Sequence, residues 1–129
     1  MSRISLRRMV VALDCPDPRA LADFYAGMLG WQVQPNPQNA DWVDVVPPDG
    51  DGRSVALGFQ QVPDLRPPTW PEGAIPQQMH MDFYVDSIED AEPAVLAAGA
   101  RRHETQPGSG DGFVVYLDPV GHPFCLCTE

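Results

Sequence analysis

The stretch Met9–Gly30, MVVALDCPDPRALADFYAGMLG, decides the fold because it contains a strand, a turn and a helix in succession. Its first five residues are apolar and are followed by turn formers, which is typical of a short buried strand. From Pro18 onward, apolar residues recur every three or four positions, and Gly30 stands where a helix would end. The stretch therefore predicts a strand over 9–13 and an amphipathic helix over 18–29.

The same order of features recurs in the second half of the chain. A shift of 69 residues places Asp17 on Asp86 and Gly30 on Gly99. Residues 79–85 alternate as a strand does, and residues 87–98 have helical spacing. An internal repeat of this kind indicates two copies of one supersecondary unit.

Further strands are predicted after each helix, with glycine-rich turns at 47–52 and 107–112. The predicted extended segments are 31–33, 42–46 and 55–60 in the first half, and 113–117 and 124–127 in the second. A connector over 63–77, which contains five prolines and Trp70, separates the halves. We therefore expect one α+β domain over 1–129, with modules at about 6–62 and 78–129.

The composition indicates which kinds of partner and which cellular compartment to expect. Eighteen acidic side chains against eight basic ones give a net charge of −10, which repels a phosphate backbone, so we expect no nucleic acid partner. No apolar run is long enough for a membrane span or a signal peptide, which predicts a cytoplasmic protein without membrane association. Cys15, Cys125 and Cys127 cannot all pair within one chain and are expected to be reduced thiols.

Several motifs resemble those of one known superfamily. They are Leu13–Pro18, Phe24–Tyr25 and Leu29–Trp31 in the first half, and His80–Phe83, Val85–Asp86 and Leu117–Phe124 in the second. On these residues the chain resembles the vicinal oxygen chelate superfamily of glyoxalases, bleomycin resistance proteins and dioxygenases. Pro67–Pro71 and Gln77–His80 are similar to segments of glyoxalase-like proteins of actinobacterial type.

The resemblance implies an α+β fold of two βαβββ modules that form an incomplete barrel around a shared cleft. Family enzymes usually hold a divalent metal there, with one ligand from the first strand and one from the last strand of each module. Carried over to this chain, these positions are Val10 or Val11, Gln60 at the end of the range 58–60, His80 and Cys125.

This set differs from the usual histidines and glutamates. Valine cannot bind a metal, Mg²⁺ and Mn²⁺ prefer oxygen ligands, and Zn²⁺ normally has at least three protein ligands. We therefore expect no metal and no other cofactor. If a divalent metal is bound, the implied ligands are His80, Gln60 and Cys125.

The residues and the resemblance together also predict a small-molecule pocket. His80, Asp82 and Tyr84 share one face of an alternating strand, and the module symmetry brings Gln60 and Cys125 toward that face. The expected ligand-binding residues are His80, Asp82, Tyr84, Gln60, Trp70 and Cys125. The alternative is that His80 and Asp82 only hydrogen-bond within the sheet, and that Trp70 fills an edge of the core.

Two functions are consistent with these residues. The first is a metal-free protein that binds and sequesters an aromatic or cationic compound. The second is a lyase, isomerase or dioxygenase acting on a small metabolite, either with a metal or with His80 as a general base oriented by Asp82. No catalytic residue is assigned, although His80 is the best candidate. The resemblance also implies a homodimer.

Overall fold

The two halves of the chain contain the same order of helix and strands in the computed structural model, which describes residues 9–48, 55–70, 72–76, 79–107 and 112–128. The first half contains β1 (Met9–Cys15), α1 (Pro18–Leu29), β2 (Gln32–Pro35), β3 (Trp42–Val46) and β4 (Val55–Gln61). The second contains β5 (Met81–Tyr84), α2 (Ile88–Ala98), β6 (Arg101–Arg102), β7 (Phe113–Leu117) and β8 (Pro123–Cys127). They belong to two compact units, residues 1–65 and 66–129.

Each unit has a four-stranded mixed sheet with the same strand order. The order is β1-β4-β3-β2 in the first unit and β5-β8-β7-β6 in the second. The first and last strands of each unit pair in parallel, and the other neighbours are antiparallel. The predicted α+β class and the two βαβββ modules are therefore confirmed.

Side-chain caps explain where the helices begin and end. The Asp17 carboxylate accepts the N–H of Ala20 at 3.2 Å, and the Ser87 hydroxyl oxygen accepts the N–H of Asp90 at 3.1 Å. Because Ser87 is the N-cap, α2 begins one residue later than predicted. Gly30 ends α1 with a φ of 71°, which glycine adopts without strain. Neither described helix is long and apolar enough to span a membrane.

The strands differ from the prediction mainly at their ends. β1 continues to Cys15 because its whole length pairs with β4. β5 begins at Met81, so His80 precedes the strand instead of lying within it. The short β6 is the strand that a βαβββ module requires after α2, although no strand was assigned to these residues from the sequence pattern. Most of the predicted turns at 47–52 and 107–112 lies outside the described residues, as do Pro71, Gln77 and Gln78.

Aromatic pairs join the elements in the core of each unit. In the first unit, Tyr25 of α1 stacks on Phe59 of β4 with 5.5 Å between ring centroids. In the second, Tyr116 of β7 stacks on Phe124 of β8 at 5.7 Å. All four rings are fully buried, and burial of each such side chain contributes about 1.5–3 kcal/mol.

One buried carboxylate organises the turn that leads into β8. Asp118 is fully buried, and its Oδ1 accepts the backbone N–H groups of Val120, Gly121 and His122 at 2.9–3.0 Å. Gly121 has a φ of 111°, and a Cβ at this position would lie 2.9 Å from the Cβ of Pro67, so a larger residue does not fit. The turn thereby fixes the residue at which β8 begins.

Replacing Asp118 by alanine should destabilise the protein because the N–H groups of Val120 and His122 lose their acceptor, while that of Gly121 keeps only the backbone carbonyl of residue 118. We expect the free energy of unfolding to fall by about 2–4 kcal/mol, since each unpaired buried donor costs about 1–3 kcal/mol. Urea unfolding followed by circular dichroism measures the change. Asp64→Ala, at an exposed turn, is the matched control and should change stability by less than about 0.5 kcal/mol. Equal stabilities of the two variants would contradict the assigned role.

A buried tyrosine links β7 to α2 and β6 through one carboxylate. The Tyr116 hydroxyl donates to Oε2 of Glu92 at 2.5 Å, and Arg102 donates to the same oxygen at 3.0 Å. Burial raises the pKa of Tyr116 far above its usual range. The hydrogen bond to Glu92 and the negative charge of Glu92 raise this pKa further, while the positive charge of Arg102 lowers it. The native tyrosine therefore stays protonated at a pH that ionises it in the unfolded chain.

The contribution of Tyr116 to stability should be present below about pH 10, the usual tyrosine pKa, and should be lost as the pH rises above it. Tyr116→Phe should flatten the decline in the free energy of unfolding measured with urea between about pH 9 and 11. Tyr84→Phe is the matched control because Tyr84 belongs to the same unit and is 65% exposed. A decline in Tyr116→Phe as steep as in the wild type would refute this linkage.

Candidate functional site

One face of the second sheet carries most of the polar residues that were predicted for the site. In the parallel register of β5 and β8, Asp82 is opposite Cys125 and Tyr84 is opposite Cys127. Met81 and Phe83 alternate with them, and Phe83 packs against the buried Phe124. Asp82, Tyr84 and the two cysteines therefore share the opposite face of the sheet.

A cavity of about 400 Å³ lies on this face. Five of the six predicted ligand-binding residues line it, namely Trp70, His80, Asp82, Tyr84 and Cys125. Cys127, Phe113, Pro107, Gly112 and Thr128 complete the lining. Phe113 was not among the predicted residues, although it is opposite Cys127 in the register of β7 and β8. Its position beside Cys127 depends on the pairing of β7 with β8, which no local sequence pattern reveals.

Trp70 of the connector both lines the cavity and covers the core. Its indole is parallel to the His80 imidazole, with 5.9 Å between centroids and 5° between planes. The same side chain packs with Phe113 against the buried cluster of Val115, Cys125 and Cys127. The two roles considered for Trp70, a ligand wall and a cover for the core edge, are therefore compatible in one side chain.

His80 and Asp82 form a polar pair at the accessible side of the cavity. The His80 Nε2 atom lies 3.3 Å from Oδ1 of Asp82, and the two side chains are 36% and 42% exposed. A carboxylate at this distance orients the imidazole and selects which nitrogen carries a proton. The pair can therefore hold a polar or charged ligand group, or accept a proton from a ligand at the imidazole nitrogen that does not face Asp82.

The thiols behind this pair are protonated at neutral pH. Cys125 is 3% exposed and Cys127 is 7% exposed. Burial is the main cause that raises the pKa of Cys125 to about 12, and the Asp82 carboxylate and Cys127 add to it. Burial and Asp82 also raise the pKa of Cys127. Because the thiolate is the nucleophilic form, this environment disfavours catalysis by either cysteine.

Gln60, the remaining predicted residue, belongs to the first unit. It is exposed on β4, where its partners in register are Asp14 of β1 and Trp42 of β3. The cavity described above is built from residues of the second unit, and Gln60 is not among them. Its part in ligand binding stays a prediction.

The first unit has apolar residues at the positions that correspond to His80 and Cys125. A Cβ at Gly58 would lie 3.0 Å from Cγ1 of Val10, so Val10, and not Val11, shares the face of Gly58. The same Cβ would lie 2.3 Å from the Trp42 ring, which therefore covers Gly58. The Trp42 Nε1–H donates to Asp44 at 2.6 Å and holds the ring in this place.

These residues do not suit the hard divalent metal that the resemblance implies. Among the residues that the structure describes, His80, Asp82 and Cys125 form a group whose donor atoms all lie within 4.8 Å of one another. It offers one nitrogen, one carboxylate and one thiol, whereas Mg²⁺ and Mn²⁺ prefer a shell of oxygen ligands. The corresponding Val10 and Gly58 offer no side-chain donor.

Comparison with solved structures places the fold among glyoxalase-related proteins. A glyoxalase/bleomycin resistance protein/dioxygenase family enzyme from Burkholderia phytofirmans PsJN is 19% identical, with a TM-score of 0.64 over 92% of this chain and 95% of that chain. A glyoxalase/dioxygenase from Nostoc punctiforme is 20% identical, with a TM-score of 0.65 over 97% and 90%. An antibiotic-binding protein from Streptomyces sp. CB03234 is 15% identical, with a TM-score of 0.62 over 100% and 98%.

Sequence comparisons give a family but no individual relative. No curated protein matches the chain significantly. The model of the glyoxalase-like domain family matches residues 10–127, which is nearly the whole chain. Together with the two βαβββ modules, this match shows that the chain belongs to the glyoxalase-like domain family of the vicinal oxygen chelate superfamily.

Proposed function

We propose that the protein binds a small, planar, positively charged organic compound in the cavity of the second unit, and that it does so without a hard divalent metal. The parallel rings of Trp70 and His80 beside the Asp82 carboxylate are the observation that carries this proposal. A cavity of about 400 Å³ lies within the usual size range of small-molecule sites.

Aromatic and anionic groups in this cavity select different features of a ligand. Trp70, Phe113 and Tyr84 offer ring surfaces, which favour stacking with a planar compound. Asp82 is partly exposed and offers a carboxylate to a positive group, and the indole face of Trp70 also attracts cations. Together these groups favour an aromatic cation over a neutral or anionic compound.

The charge of the whole protein acts in the same direction. With a net charge of −10, the chain attracts cations and repels anions at low ionic strength. The fold also occurs in the antibiotic-binding protein from Streptomyces, which is a precedent for binding on this scaffold. At 15% identity that precedent concerns the fold alone, and the residues of this chain decide the ligand.

A second candidate function is acid–base catalysis by His80. The contact of 3.3 Å with Asp82 and the partial exposure of both side chains favour it, because a general base must be oriented and must reach its substrate. In that case the protein would be a lyase or isomerase that converts the bound compound. Turnover of a small dicarbonyl such as methylglyoxal, lost in His80→Ala, would support this candidate over simple binding.

Binding of proflavine, a planar aromatic cation, tests the first function against acridone, a neutral compound of similar shape. We expect proflavine to quench tryptophan fluorescence with saturation, and Trp70→Ala to weaken its binding by at least about tenfold in calorimetry. Asp82→Asn should weaken the binding of proflavine by about tenfold and leave that of acridone unchanged, because only the cation uses the carboxylate.

Matched variants test whether these residues form a ligand pocket or only a hydrogen-bond network that stabilises the fold. Trp31→Ala and Asp64→Asn change the same residue types in the first unit and should leave proflavine affinity unchanged. His80→Ala should abolish binding while stability changes by less than about 1 kcal/mol, whereas a satisfied core histidine would cost about 1–3 kcal/mol. Absence of binding by wild type, or equal losses in Trp70→Ala and Trp31→Ala, would refute the proposal.

A further inference from the structure

A second cavity, of about 430 Å³, is lined by the first two turns of α2, by Arg102 of β6 and by the start of β7. It lies on the helix side of the second sheet, because Val114 in its lining alternates with Phe113 and Val115, which pack on the side of the thiols. Its volume is within the usual range of small-molecule sites. The second unit therefore has a ligand space that contains neither His80 nor Asp82.

Three charged side chains stand close together in this cavity. Glu89 and Glu92 are three residues apart on α2 and therefore share one face of the helix. Oε2 of Glu92 accepts hydrogen bonds from the Tyr116 hydroxyl and, at 3.0 Å, from Nη1 of Arg102. Oε1 of Glu92 and the Glu89 carboxylate accept no hydrogen bond from the residues that the structure describes. The cavity thus presents unused carboxylate oxygens directly beside a guanidinium group.

The other side chains of the lining are apolar. They come from both walls of the cavity and are Ile88 and Pro93 of α2 and Phe113 and Val114 of β7. An aliphatic or aromatic group in contact with them is removed from water, which favours binding. The described lining therefore combines one group of opposite charges with one apolar surface.

We propose that this cavity binds a free α-amino acid with an apolar side chain. In an α-amino acid the ammonium and the carboxylate are separated by one carbon atom, which suits charged partners that lie 3.0 Å apart at Arg102 and Glu92. The ammonium donates to Glu89 and to Oε1 of Glu92, and the carboxylate accepts from the guanidinium nitrogens that Glu92 does not use. The site does not depend on the proposed binding of organic cations in the other cavity.

Ligands with a single charge suit this lining less well. A cation that lacks a carboxylate would meet the positive charge of Arg102, and an anion that lacks an ammonium would meet two carboxylates. An exposed ion pair contributes little to stability, so the half-exposed Arg102 can turn part of its guanidinium toward a ligand. Both charges of the ligand are therefore needed for full affinity.

Three probes with the same phenyl-ethyl body test the site in an NMR titration of the full chain. L-Phenylalanine carries both charges, phenethylamine carries only the ammonium, and hydrocinnamate carries only the carboxylate. We expect L-phenylalanine to shift the amide signals of Glu89, Glu92 and Arg102 with saturation. It should bind at least about fivefold more tightly than either single-charge probe.

Neighbouring residues supply matched control variants. Glu89→Gln and Arg102→Gln should each weaken L-phenylalanine binding by at least about fivefold. Asp90→Asn removes a charge from the same turn of α2, and Arg101→Gln removes one from the same strand, but neither residue lines the cavity, so both variants should bind as the wild type does. Circular dichroism checks that each variant is folded, and all four positions are exposed.

The variant Asp82→Asn distinguishes this cavity from the one that contains His80. It should leave L-phenylalanine affinity unchanged, and Glu89→Gln should leave proflavine affinity unchanged, because the two carboxylates line different cavities. Equal affinities for the three probes, equal losses in Glu89→Gln and Asp90→Asn, or loss of L-phenylalanine binding in Asp82→Asn would overturn the assignment. None of these outcomes decides whether proflavine binds to the wild type.

Discussion

The parallel pairing of the first strand with the last strand is the constraint on which each unit depends. Two parallel strands cannot be joined by a tight hairpin, so the chain must cross over through a helix and further strands before the last strand returns. In the second unit the register places Asp82 opposite Cys125. A shift by one residue would turn Phe124 toward the cavity and both thiols away from it. The buried Asp118 carboxylate at the start of β8 therefore helps to specify the chemistry of the cavity.

Both units have this parallel strand pairing, but they differ in the side chains that the pairing places on the face of the sheet. The same backbone pairing places Val10 near Gly58 in the first unit, where the Trp42 ring closes the face. In the second unit it places a histidine, a carboxylate and two thiols around a cavity. The position of the Trp42 ring requires glycine at 58, because any side chain there would collide with the indole. Repetition of the backbone thus preserves the scaffold, while single side chains decide whether a face is closed or open.

Periodicity predicted the elements well where local chemistry determines them. Apolar spacing and the caps Asp17 and Gly30 gave α1, and alternation placed Asp82 and Tyr84 on one face. Strand ends such as His80, and the short β6, depend on pairing with distant strands that no local pattern reveals. Phe113 was missed for the same reason, since its neighbour Cys127 is a partner only in the folded sheet. The homodimer, the cytoplasmic location, the domain limits and the actinobacterial subgroup stay predictions.

Asp82 is the charged group on which the proposed ligand binding depends. Its carboxylate lies 3.3 Å from the His80 imidazole, and Cys125 is its partner in the register of β5 and β8. Both cysteines are buried behind it, whereas the Asp82 side chain is 42% exposed. A positive group of an organic cation can therefore reach this carboxylate from the accessible side of the cavity, while both thiols stay buried and protonated.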